Sequence, residues 1–489
     1  MNSKKNVSSL SDHRLLKKQG IVATPFNNLL RDIITLSSWA EERMPEYLWL
    51  GLILLYYGRK EGFKKAGQIL FEISNRLTSL SSPKLSIILS LSDNEQKLVY
   101  EIIKKSVNRI VLAPLTILYR KRSYPLFNKF FYDSQLRVEE RVDILSKAVK
   151  IYTPHQGNET TDLRFLALGI LLFSGKLHFP LDSSLSDAFK EYPYTDHEDE
   201  KMRVYRPTIR ATEGSGFIEK NIAFCSKFWR DLGMMTSCNP MVIKFDENQD
   251  EFKEFISGCQ KVLEYILFSN KEKSIKDDRF DVIIGSINYA LKIFVEIIEN
   301  SLGNNILGRH GLRTITEVYI MLKYLLKRES DNCNIWEEYK LYGISKYKLI
   351  LLKAREANLR ETSHFIPPIA DVLVNEIKWE EFIDVDLKYF DKQGIREKSI
   401  EVDEKELYDL FYDYDSNFSH GLWGAIRESS MLYCDNATHR HHSIPDIHLN
   451  QKLPDVKSDS FMIIKKIFSI LSKTYEFPKS LLPQLVDET

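Results

Sequence analysis

The sequence predicts an all-α fold, mainly helical with at most a small sheet, arranged as two helical domains of which the C-terminal one is a helix bundle. Three observations carry this. Apolar residues recur at three- and four-residue steps over most of the chain. Few segments alternate with period two. Turn residues gather in a handful of breaks between long periodic stretches.

From the N-terminus, 27–57 reads as two helices broken near Pro45. Met44-Pro45-Glu46 is a start signal, because proline is tolerated in a first turn and glutamate suits the positive end of a helix. Segments 62–77 and 94–109 are also helical in pattern. Segment 135–151 is amphipathic, with Leu136, Val138, Ile144, Leu145 and Val149 at helical offsets, and 162–175 is short and very apolar. Between 176 and 215 the periodicity fails. Pro180, Pro193 and Pro207, several turn residues and an acidic cluster predict a long connection with little regular structure. The helical pattern resumes near 217, then at 250–269, 279–300, 311–328, 334–359, 404–434 and 459–473, with turn-rich breaks at 301–310, 360–370 and 435–457. The boundary between an N-terminal domain, 1–240, and a C-terminal domain, 241–489, falls at Cys238-Asn239-Pro240.

A chain of 489 residues has room for two or three domains, and its 43% apolar content supplies their cores. Basic and acidic residues balance at 68 each, so no global field recruits nucleic acid or an anionic membrane. Any nucleic-acid contact must be a local patch. Five widely spaced cysteines without a CxxC argue against a disulfide framework and for a reducing, cytoplasmic location. The apolar run 47–58 is shorter than the roughly 20 residues a membrane span needs, so it reads as a buried core helix, and no membrane partner is expected. Phosphate-loop, dinucleotide-binding and nucleophile-elbow motifs are absent, which disfavours nucleotide-driven motors, Rossmann enzymes and α/β-hydrolases.

Four stretches could carry chemistry. In 308–330, Leu312, Ile315, Val318, Tyr319, Leu322, Leu325 and Leu326 form one apolar face. Arg309, Arg313 and Glu317 stack four apart on the other side, which then continues with Ile320, Met321 and Tyr324. This helix is expected to be covered on both sides, with Arg313 and Glu317 in a second interface. The plain reading is an ion pair that locks two helices; the functional one is a charged site. In 406–434, Asp413, Asn417, His420, Gly424 and Arg427 fall on one helical face. A histidine there suits acid–base work, and Gly421 and Gly424 suggest close approach of a backbone or a ligand. The competing reading is a core histidine between tightly packed helices. His439, His441, His442 and His448 form a third cluster, flanked by Asp435 and Asp446. Clustered imidazoles can ligate zinc, but no paired cysteine spacing supports it, so no metal or other cofactor is assigned. In 104–150, Arg120, Lys121, Arg122 and Lys129 are interleaved with Tyr119, Tyr124, Phe127 and Phe130. That mixture can hold single-stranded nucleic acid by phosphate contact and stacking, or be a solvated helix pair over an aromatic core.

The Arg-x-x-x-Glu helix followed by a Trp-Tyr segment (Arg313, Glu317, Trp336, Tyr339), the step Ser419-His420-Gly421 and the N-terminal stretch WAEERMPEYLWLGLILLYYGRKEG resemble a bacterial family of uncharacterised helical proteins, often carried near mobile or defence genes. The likeness spans roughly 260–440, and more weakly 35–65. Helical domains with a polar Arg/His centre also invite comparison with HEPN ribonucleases. Their usual signature, an Arg and a later His with four to six residues between them, is found at none of the eleven histidines. The resemblance implies a defence- or toxin-type effector with a metal-independent, ribonuclease-like site. His420 would be the acid/base, Arg313 (with Arg309 or Arg427) the phosphate binder, and Glu317 and Asn417 would orient them. RNA and a protein partner or second copy are the expected partners. The alternative is a non-catalytic helical scaffold or partner-binding subunit, whose polar residues specify helix pairing.

Overall fold

A computed structural model of the chain describes residues 10–16, 20–24, 37–178, 183–215, 220–245, 252–275, 277–357 and 364–488. The protein is all-α. Among the described residues the strands are few and short: Arg14–Leu16 pairs antiparallel with Ile21–Ala23, and Met431–Cys434 with Ser443–Pro445 on one side and the two-residue Pro240–Met241 on the other. No helix among them is long and apolar enough to cross a membrane.

The chain divides into two compact units. One is Met1–Pro240 together with Cys434–His442; the other is Met241–Tyr433 together with Ser443–Thr489. Nothing in the sequence marks 434–442 as departing from its neighbours.

In the first unit the apolar run forms the Met44–Tyr57 helix, with Pro45 in its first turn and burial on all sides. The neighbouring Trp39–Glu42 helix begins at Ser38, whose hydroxyl accepts from the Glu41 N–H; the predicted helix residues 27–36 lie outside the described residues. Polar groups taken into this core find partners. Trp39 Nε1 donates to Tyr152 O at 2.9 Å, and Trp49 Nε1 to Pro83 O at 2.8 Å. Tyr152 Oη reaches the carbonyl of Gly51 at 2.9 Å, an approach open only because a Cβ at 51 would stand 2.8 Å from the same ring. Glu46 is buried and accepts from the Ser86 N–H and hydroxyl.

The stretch 176–215, expected to be irregular, contains the helices Ser184–Glu191 and Met202–Gly214. Pro207 sits inside the second and removes one backbone bond. Burial of Met202, Tyr205 and Ile209, spaced along one face, outweighs that loss.

The second unit is built on Lys253–Ser269, Asp278–Glu299, Ile306–Arg328 and Lys457–Thr474, which share one core with Trp336 from Ile335–Glu356. The predicted single helix over 404–434 is instead broken. A short turn, Lys405–Leu407, opens into a π-helical turn, Tyr408–Tyr412, and continues as Asp413–Ser419. Gly421 then takes φ +58°, a left-handed conformation that ends the helix, and a separate helix runs Trp423–Ser430.

Candidate functional site

The Ile306–Arg328 helix is covered on both sides. Leu312, Ile315 and Leu322 face one core, while Arg309, Thr316, Ile320 and Tyr324 are also buried. Arg313 lies at the second interface, against the π-helical turn and the helix after it. Its Nη2 donates to the Tyr412 hydroxyl at 2.6 Å and its Nε to Ser416 Oγ at 3.0 Å, while its Nη1 pairs with Glu317 Oε2 at 3.4 Å. The guanidinium also stacks 4.4 Å from the centre of the Tyr412 ring. Ser416 passes the connection on, donating to Tyr412 O at 2.6 Å. Burial keeps the Tyr412 hydroxyl protonated far above its ordinary range.

One turn earlier, Arg309 Nη2 donates to Pro454 O at 2.8 Å and its Nη1 stands 3.8 Å from Asp415 Oδ1. Neither oxygen of Asp415 has a hydrogen bond. Burial pushes this carboxyl up to about 7, against the pull of Arg309. A near-neutral carboxyl is often a functional one. This one is fully enclosed, with 0% exposure, and meets no solvent-borne substrate.

The residues assigned from sequence separate accordingly. Arg313 and Glu317 come together. Asn417 spends its amide on Asp413 O and Tyr414 O of its own helix. His420 follows the last turn, exposed, with a side chain that makes no hydrogen bond among the described residues. The common face of Asp413, Asn417, His420, Gly424 and Arg427 is not kept, because the break at Gly421 puts Gly424 and Arg427 on another helix. No backbone approaches these two glycines closely among the described residues. A Cβ at Gly421 or Gly424 would meet nothing within 4 Å, and Gly421 is needed only for its positive φ.

Beside Glu317 the same unit holds a cavity of about 550 Å³. Tyr339, Tyr342, Tyr347 and Tyr389 line it, with Glu317 and Glu376. Lys398 also reaches it, but its Nζ is committed to the carbonyls of Phe390, at 2.6 Å, and Gln393.

Residues 280–439 match the model of a family of unknown function, DUF5677. Arg309, Arg313, Glu317, Trp336, Tyr339, the cavity and the Ser419-His420-Gly421 step all lie in that segment, which supports the resemblance to an uncharacterised family. No curated protein matches the chain, and no solved structure does.

A second cluster belongs to the first unit. Cys238, Cys434, His439 and His442 place one ligand atom each within 4.8 Å of one another. In the sequence these histidines have no paired cysteines near them. The fold supplies one cysteine from just after the Ile222–Gly233 helix and the other from the far end of the chain. The DUF5677 match reaches Cys434 and His439 and leaves out Cys238 and His442. His441 turns instead to Cys434 O, at 3.2 Å.

The basic residues Arg120, Lys121, Arg122 and Lys129 are exposed. Their aromatic neighbours point elsewhere: Tyr119 and Phe127 are buried, packed edge-on against each other and against Tyr124 and Tyr100. Tyr412, Asp415, Ser416 and the two cysteines were not picked out from sequence. A signal existed for Tyr412 and Ser416 alone, which lie one helical turn apart.

Proposed function

We propose that the chain is a non-catalytic helical scaffold, a partner-binding subunit in which the polar residues of the second unit specify how its helices pair. The observation that carries this reading is the engagement of Arg313 inside its own unit. Each of its three nitrogens has a partner, Tyr412, Ser416 or Glu317, and the guanidinium face lies on the Tyr412 ring, so the group is held between helices rather than presented to a phosphate. A guanidinium held this way fixes register between helices. His420, the residue the sequence offered for acid–base work, is not joined to it by any hydrogen bond or ion pair among the described residues.

The cavity beside Glu317 is the seat such a subunit offers. Tyrosine rings with the Glu317 and Glu376 carboxylates at hand suit a cationic side chain of a protein partner. In the bacterial defence or toxin setting that the resemblance implies, that partner would be another component of the same system.

The test is RNA cleavage by the purified full chain beside thermal unfolding. The expected result is no cleavage that depends on His420, an unchanged midpoint for His420→Ala, and a lowered midpoint for Arg313→Ala. Cleavage that His420→Ala abolishes without moving the midpoint overturns the scaffold reading in favour of a metal-independent ribonuclease.

A further inference from the structure

The Cys/His cluster rests on a backbone framework that needs no ligand to explain it. Asp435 N donates to Asn239 O at 2.8 Å, Asn436 Nδ2 to Ser237 O at 2.8 Å, and Cys434 N to His442 O at 3.0 Å. These bonds lay the 434–442 segment along 237–239. Arg440 and His441 then take φ of 54° and 50°, two consecutive left-handed residues without a glycine. Such a turn is strained, and what it achieves is to fold His442 back toward Cys238.

The distances are those of a coordination shell. Cys238 Sγ is 3.3 Å from His439 Nδ1 and 3.3 Å from His442 Nε2, and Cys434 Sγ is 3.7 Å from His439 Nδ1. With zinc–sulfur bonds of about 2.3 Å and zinc–nitrogen bonds of about 2.0 Å at tetrahedral angles, sulfur and nitrogen ligands lie roughly 3.5 Å apart. Hydrogen bonding alone serves this group poorly. Each thiol has one proton, yet Cys238 Sγ meets two ring nitrogens and His439 Nδ1 meets two sulfurs.

The outer partners decide which nitrogen is available. His439 Nε2 faces two carbonyl oxygens, Gly233 O at 3.1 Å and Thr236 O at 3.3 Å. Carbonyls only accept, so in the neutral ring Nε2 carries the proton and the Nδ1 lone pair is aimed at Cys238 and Cys434. A ligating histidine is held in this way, its second nitrogen donating to a backbone carbonyl. The Thr236 hydroxyl, 2.9 Å from Nε2 and 2.7 Å from the Thr438 hydroxyl, closes the outer ring.

We infer that Cys238, Cys434, His439 and His442 form a structural site for one zinc ion. Two thiolates and two imidazoles in a tetrahedral set are a borderline-soft donor group that suits zinc, and four protein ligands leave no open position for substrate. Binding releases the two thiol protons to solvent as thiolates form. The ion ties the 434–442 segment to the rest of the first unit. This inference is independent of the scaffold reading, which concerns other residues of the other unit.

The experiment is metal analysis of the reduced full chain after chelator stripping and reloading with zinc or cobalt(II). The expected result is one metal per chain, a cobalt spectrum with thiolate charge-transfer and tetrahedral visible bands, and a higher thermal midpoint with zinc. Cys238→Ser, at an exposed position, weakens binding at least about ten-fold. Cys333→Ser, an exposed cysteine outside the cluster, leaves it unchanged. Three results would overturn the inference: no stoichiometric metal, equal binding by Cys238→Ser and the unaltered chain, or a cobalt spectrum without thiolate bands.

Discussion

Arg309 and Asp415 face each other at 3.8 Å with both side chains buried, and the carboxylate oxygens have no hydrogen bond. The pair is a charge contact without the bonds that would offset its desolvation. Each partner therefore depends on the other, and the pair depends on pH through Asp415.

Asp415 has its ordinary value of 3.8 raised to about 7 in the fold. As pH rises, the unfolded chain gives up this proton first. The contribution of Asp415 is therefore fully present below about pH 4 and is lost as pH rises through about 7. Denaturant midpoints measured across this window are expected to fall more steeply for the unaltered chain than for Asp415→Asn, which cannot titrate. Parallel slopes for the two proteins would contradict the assignment.

Removing the cation instead leaves the carboxyl alone. Arg309→Met should cost about 3–5 kcal/mol at pH 8, where Asp415 is charged. The cost should shrink near pH 5, where the carboxyl is neutral. Paired urea titrations at the two values check it, and an equal loss at both would show that packing rather than charge governs the site.

Gly421 and Gly424 are separated by three positions and by opposite demands. At Gly421, with φ +58°, alanine should destabilise by about 1–2 kcal/mol. At Gly424, which lies in a helix with open space around it, alanine should be neutral or stabilise by up to ~1 kcal/mol. Calorimetric midpoints moving in opposite directions are the expected outcome.

In the first unit Glu213 is buried between Arg43, at 3.1 Å, and Arg164, at 3.6 Å. Burial raises the Glu213 carboxyl above its usual range and lowers Arg164 to about 10. Glu213→Ala leaves two arginines without their shared counter-charge, and a loss of about 3–5 kcal/mol is expected in chemical denaturation. A loss under about 1 kcal/mol, the worth of an exposed pair, would mean that water reaches the site.

Helices whose burial is written as a periodic stripe were legible. The Met44–Tyr57 helix announces itself by an unbroken apolar run, and the two-sided cover of Ile306–Arg328 by Ile320 and Tyr324 behind Arg313. The breaks were harder. Gly421 ends a helix because of a backbone angle, and a glycine in a periodic stretch looks the same whether it packs or turns. Met202–Gly214 was hidden by Pro207, whose cost is local and visible while the burial of Tyr205 and Ile209 depends on the finished core. Of the assigned site, only the Arg313–Glu317 pair is a matter of helical spacing. The Arg309–Asp415 and Cys238–Cys434 approaches join distant segments, and no local pattern encodes them.

The return of 434–442 to the first unit has a genetic consequence. A chain cut or recombined at residue 240 would lose Cys434, Ala437 and Thr438 from the interior of that unit, although the break falls where the chain looks divisible. The C-terminal half thus cannot be exchanged as a cassette. A viable swap must carry a 434–442 segment that matches the first unit.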